Sequence, residues 1–199
     1  MFNSPLHTLL RRWKLLFVFG LIVGILSAGA TFLFPLSYRA DAQVLIISQS
    51  RYGVDPYTVV RSAERVGENI AQVMRTNDFY QKVKEQTSYV IDWNYFEKLN
   101  EREKRKLWGK TIVPSVVYGT GVLQVSAYHP NPDQANQLAG AAISALASKG
   151  WEYVGGDVAI KVVNDPVVSK WPVRPNVALN AVLGFVVGVL LTGLVVVKK

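Results

Sequence analysis

The sequence predicts an α+β extracytoplasmic domain flanked by two transmembrane helices. Three observations predict it. Long uncharged apolar runs lie near both ends, the stretch between them alternates strand-like and helix-like periodicity, and all 14 acidic residues fall in that middle stretch. Apolar residues make up 50% and charged residues only 18% of the 199 positions, against about 25% charged in an ordinary soluble domain. The apolar content excludes a disordered chain. The absence of cysteine excludes a disulfide scaffold or a thiolate-held metal.

The first run, residues 15–34, reads LLFVFGLIVGILSAGATFLF, and the second, residues 177–197, reads VALNAVLGFVVGVLLTGLVVV. As helices, both are long enough to cross a hydrocarbon core of about 30 Å. Arg11, Arg12 and Lys14 followed by apolar residues and Ala28-Gly29-Ala30 also fit a cleaved signal peptide, but the apolar stretch continues through Phe34. Three basic residues precede the first span and only Arg39 closely follows it, so residues 1–14 are expected in the cytoplasm. The second span then returns residues 198–199 to the same side, and the location expected is the cytoplasmic (inner) membrane. Five of the 22 Lys and Arg residues flank the spans, so the net charge of +8 is read as membrane anchoring, not as a nucleic-acid surface.

Residues 35–165 are expected to form the domain. Tyr38, Ala40, Ala42, Val44 and Ile46 alternate with polar residues as one strand, and Leu45 and Ile47 fall on its second face, so both faces are expected to be covered in part. Asp55 and Pro56 suit a helix start, and Val59, Ala63, Val66, Ile70 and Met74 share one face of that helix. Asn77 breaks it, and a shorter segment restarts at Asp78. Asn94 with Glu97 predicts a capped, strongly polar helix reaching Trp108. Residues 112–118 and 122–128 form a hairpin across Gly119-Thr120-Gly121, with Pro114 marking an edge strand. Asn131 caps the next helix and Pro132 opens it, with an apolar stripe of Ala135, Leu138, Ala139, Ala142, Leu146 and Ala147. A last strand covers residues 158–164. The first and last strands each adjoin a span and are expected to lie near each other.

Several residues stand out as functional candidates. Gly20, Gly24 and Ala28 recur every fourth residue in the first span, as do Asn180, Gly184, Gly188 and Thr192 in the second. Such faces let helices approach closely, and Asn180 can hydrogen-bond across helices. Residues 166–176 form a proline-rich connector through Pro166, Pro172 and Pro175, which reads equally as a stiff element that sets how the domain is held and as an ordinary linker stop before a helix. Lys104, Arg105 and Lys106 are candidates to meet phosphate or lipid, although a solvated helix face is the commoner use of such a run. His129, just before a helix cap, reads as a turn histidine. No P-loop, zinc-protease or serine-hydrolase signature occurs, so no enzyme activity and no cofactor are expected.

The arrangement resembles the chain-length determinant (Wzz-type) family of polysaccharide co-polymerases, which includes transmembrane modulators of capsule tyrosine kinases. The resemblance rests on the basic N-terminus with its span, on YRADAQVLI, and on the helix DPYTVVRSAERVGENIAQVMRTNDF. It rests most specifically on GVLQVSAYHPNPDQANQLAGAAIS and on DPVVSKWPVRPN before the second span. It implies a small-domain member, because only residues 82–110 stand where larger members carry a long helical extension. It departs from the family at Gly140-Ala141, where Ala-Asn is frequent. It further implies a homo-oligomer acting with a polymerase, an exporter or a separate tyrosine kinase on O-antigen, capsule or exopolysaccharide. A two-span extracytoplasmic sensor, or an adaptor of another transporter, is the competing reading.

Overall fold

The computed structural model describes residues 9–48, 55–154 and 158–198. The expected cytoplasmic ends therefore fall partly outside the described residues, at 1–8 and 199. The chain divides into two compact units, Met1–Leu36 with Val173–Lys199, and Ser37–Pro172.

The first unit holds helix α1 (Trp13–Thr31) and the C-terminal helix Val177–Lys198. Both are long and apolar enough to cross a membrane. The helix in the first run stops at Thr31, short of the expected Phe34. Phe32, Leu33 and Phe34 instead bond to the carbonyls three residues back, at 3.1 to 3.2 Å, and Pro35 cannot continue a helix.

In the second unit the order is β1 (Tyr38–Ser48), α2 (Pro56–Val73), α3 (Asn77–Lys84), α4 (Asn94–Glu97), α5 (Glu101–Thr111), β2 (Ile112–Val117), β3 (Val122–His129), α6 (Pro132–Lys149), α7 (Trp151–Val154) and β4 (Val158–Val168). The C-terminal helix is then α8. The four strands form one antiparallel sheet in the order β2-β3-β1-β4. The first and last strands are hydrogen-bonded neighbours, and β2, which contains Pro114, lies at an edge.

The sheet's inner face is made by the alternation seen in the sequence. Ala40, Ala42, Val44 and Ile46 from β1 and Leu123, Val125 and Ala127 from β3 are buried beneath α6 and α2. Small side chains on both sides let α6 lie close to the strands. Burial on α6 is wider than the expected stripe: Gly140, Ala141, Ile143 and Ala145 are also enclosed, whereas Ala147 is exposed. The reason is a second cover on its far side. Gln134 accepts from the Asp92 N–H (2.8 Å) and donates to the Val90 carbonyl (3.2 Å), and Gln137 accepts from the Val90 N–H (3.2 Å). These bonds strap residues 85–93 over the helix, where the Tyr89 ring sits against Gly140. The sheet's other face is covered in part: Leu45 is half-buried, whereas Ile47 is 42% exposed.

Two further elements differ from the sequence reading. The helix expected from Asn94 breaks at Lys98–Asn100, and the working cap is Asn100, whose side chain accepts from the Glu103 N–H at 2.9 Å. The final strand continues past Asn164 through Asp165 and Pro166 to Val168, with two register shifts against β1. Pro166 thus belongs to the sheet and not to the connector. An edge strand absorbs a proline at such an irregularity because one side of it owes no ladder bond.

Candidate functional site

Within the first unit the small-residue ladders face each other. A Cβ added at Gly20 would lie 2.6 Å from Val189, one at Gly24 would lie 3.0 Å from the Ala181 carbonyl, and one at Gly188 would lie 2.8 Å from Val23. Gly184 is equally tight against Ser27, and Ala28 is half-buried nearby. The helices thus meet backbone to backbone, which favours dispersion contact in an apolar medium. A polar group crosses the same seam. The Asn180 amide donates to the Thr31 hydroxyl (3.0 Å), Thr31 donates to the Ser27 carbonyl (2.9 Å), and the Ser27 hydroxyl donates to the Asn180 carbonyl (2.9 Å). Phe17 and Phe185 add an edge-to-face ring contact at 5.6 Å. Thr192 turns its hydroxyl to the Gly188 carbonyl of its own helix at 2.8 Å.

The prolines do not act as one segment. Pro166 is in β4, Pro172 ends the second unit and Pro175 belongs to the first. Beyond β4 the pairing with β1 persists for one more residue: Ser169 donates its N–H to the Arg39 carbonyl (2.7 Å), and its hydroxyl accepts from the Arg39 N–H (3.1 Å).

The run 104–106 lies on α5 with its three side chains on different azimuths. Lys104 is half-buried and paired with Glu101, while Arg105 and Lys106 are exposed. Beneath it is an aromatic cluster that the polar sequence of this region conceals. Tyr80 meets Trp93, Phe96 and Trp108 edge-on at 5.1 to 5.8 Å. The Trp108 indole donates to the Met74 carbonyl at 2.9 Å, closing α2 against α5. Burial, followed by the charges of Glu97 and Glu101, pushes the Tyr80 hydroxyl up to about 12.

The acids Glu64 and Glu68 are engaged structurally. Glu64 accepts from the Gly119 N–H and Glu68 accepts from the Tyr118 hydroxyl (3.4 Å), so α2 grips the hairpin turn. That turn needs glycine, with φ of 79° at Gly119 and 68° at Gly121. At the other end of the sheet, the His129 ring accepts at Nδ1 from the Asn131 N–H (3.0 Å) and packs edge-on to Tyr95 at 4.5 Å. Burial lowers its pKa and outweighs the opposing pull of the Asn131 backbone and Asp92. This histidine orders the start of α6, where Asn131 in turn accepts from the Asp133 N–H at 2.8 Å.

Among the described residues no group of three His, Asp or Glu side chains converges as a metal site. The arrangement offers a close-packed helix pair, a two-layer sheet unit and a basic surface over buried aromatics. No family model matches the chain, and no curated protein does.

Proposed function

We propose that this chain is a non-enzymatic membrane regulator of surface polysaccharide chain length, polymerisation or export. It acts as a homo-oligomer with a polymerase, an exporter or a separate tyrosine kinase. One observation carries the reading: a single α+β unit is inserted between two helices able to cross a membrane, and the strands adjoining those helices, β1 and β4, pair with each other. Such a chain presents one folded body on one side of a bilayer. The positive charge before α1 favours the extracytoplasmic side for that body. The resemblance of GVLQVSAYHPNPDQANQLAGAAIS and DPVVSKWPVRPN to co-polymerases supplies the polysaccharide class.

Deleting the gene and resolving the surface glycan on a gel tests the proposal. A changed length distribution or yield, restored by the wild-type gene, is expected; an unchanged pattern would refute it. Protease added to spheroplasts should cut within residues 60–150. Protection there, with cleavage in inverted vesicles instead, would reverse the topology and remove the basis of the assignment.

A further inference from the structure

The first unit contains no Asp or Glu, and four of its cations gather at one end. Arg11, Arg12 and Lys14 stand at the start of α1, and Lys198 ends α8. Gly20 faces Val189 and Gly188 faces Val23, so the helices run antiparallel and these cations share an end. Arg12 is exposed, and Trp13 beside it is 58% exposed, the placement of an aromatic at a membrane–water interface.

From that end a groove of about 420 Å³ runs along the seam between the two helices. Leu15, Phe19 and Val23 line it from α1, Leu191 and Gly188 line it from α8, and Arg12 stands at its outer end. Thr192 also borders it, but its hydroxyl is spent on the Gly188 carbonyl. From Arg12 to Val23 the helix rises about 16 Å. That is half of a hydrocarbon core of about 30 Å, the depth of a single leaflet.

We propose that this groove binds one phospholipid with a net-negative headgroup, its phosphate held by the Arg12 guanidinium and an acyl chain laid along the seam. The inference rests on the helices spanning a bilayer and is independent of the polysaccharide reading. A guanidinium fork matches the geometry of phosphate oxygens. Basic pockets between transmembrane helices select anionic headgroups, and here no carboxylate side chain of the unit competes for the cations. A zwitterionic headgroup brings a cation of its own, which the basic end repels. The depth argues against a further helix as the occupant, because a helix would run the whole core instead of stopping at its middle. A second groove, bordered by Leu16, Leu190 and Gly193, has no cation among its described lining residues. It offers an acyl chain similar room without the charge, and so serves as the internal contrast.

The test uses the full chain in neutral detergent, with native mass spectrometry resolving the first bound lipid during titration with phosphatidylglycerol or phosphatidylcholine. Phosphatidylglycerol should bind more tightly by about fivefold, the weight of one cation near a charged surface. Arg12→Gln should lose most of that preference and Arg12→Lys should keep part of it, whereas Arg11→Gln, outside the lining, should retain it. Leu191→Trp should fill the groove and weaken phosphatidylglycerol binding severalfold, and Leu190→Trp should bind as wild type. Both leucines are more than half exposed, so neither change disturbs the packing between the helices. Equal affinity for the two lipids, equal losses in Arg12→Gln and Arg11→Gln, or indifference to Leu191→Trp would overturn the site. So would faster oxidation to a disulfide dimer by Leu191→Cys than by Leu190→Cys in phosphatidylcholine vesicles, which would put a second copy in the groove.

Discussion

The side-chain amide of Asn180 donates to the hydroxyl of Thr31 at 3.0 Å, tying the start of one apolar helix to the end of the other. In a medium without water, a lost partner for such groups is not replaced by solvent. Replacing Asn180 by Leu should weaken the helix pair by ~1 kcal/mol, and Thr31→Val should cost a similar amount. The double variant should cost less than the sum, because one interaction is removed twice. Denaturant titration of the detergent-solubilised chain measures all three; strict additivity would show the bond to be idle.

The two small-residue ladders are consumed within one chain, which makes a sharp prediction about cross-linking. With Val23→Cys and Gly188→Cys combined, oxidation should join the two helices of a single molecule, giving a fast-migrating monomer on a non-reducing gel. Dimers linked through the same cysteines would mean that the ladders serve contacts between copies instead. Adding Gly20→Leu, which drives a side chain into Val189, should abolish the monomer band.

The hairpin glycines should differ in cost. At Gly119 an added methyl meets open space, so Gly119→Ala should lose only the left-handed backbone term, about 1–2 kcal/mol. At Gly121 the methyl also comes within 3.1 Å of the Ile46 carbonyl and 3.2 Å of Ala63, so Gly121→Ala should be the more destabilising of the two. Chemical denaturation midpoints decide the order.

His129 should make stability depend on pH. Its folded pKa lies below the ordinary 6.5, so the unfolded chain binds a proton that the folded chain resists. Its contribution is therefore complete above about 6.5 and is lost as pH falls through the window beneath that value. Protonation would also remove the Nδ1 acceptor used by the Asn131 N–H. Thermal midpoints from pH 7.5 to 5 should fall more steeply for wild type than for His129→Gln; parallel curves would exclude the histidine as the cause.

The sequence made the frame visible where a pattern is set by local chemistry. Two long uncharged runs form apolar helices, Asn131-Pro132 starts a helix for local reasons, and Gly-Thr-Gly between β-branched runs closes a hairpin. Tertiary choices stayed hidden. Asn94 and Asn100 both have a glutamate three residues on, and packing decides between them. Phe96 and Trp108 can reach Tyr80 together only if the chain turns at Lys98–Asn100. Trp108 ends a polar helix in the sequence but is among the largest fully buried side chains in the fold. The strand extension through Pro166 depends on register shifts, which leave no mark in hydrophobic alternation. Arg12 shares a groove with Gly188 and Leu191 only because the two apolar helices pack antiparallel, and no spacing in the chain signals that meeting.

The two rims of the sheet carry a further consequence. β2 holds Pro114, and β4 holds Pro166 together with both register shifts, so neither outer strand offers a long, regular template to a neighbouring molecule. An extended segment that approaches either rim meets only a short run of free ladder groups before the proline interrupts it, so growth of the sheet by edge-to-edge addition is disfavoured at both ends.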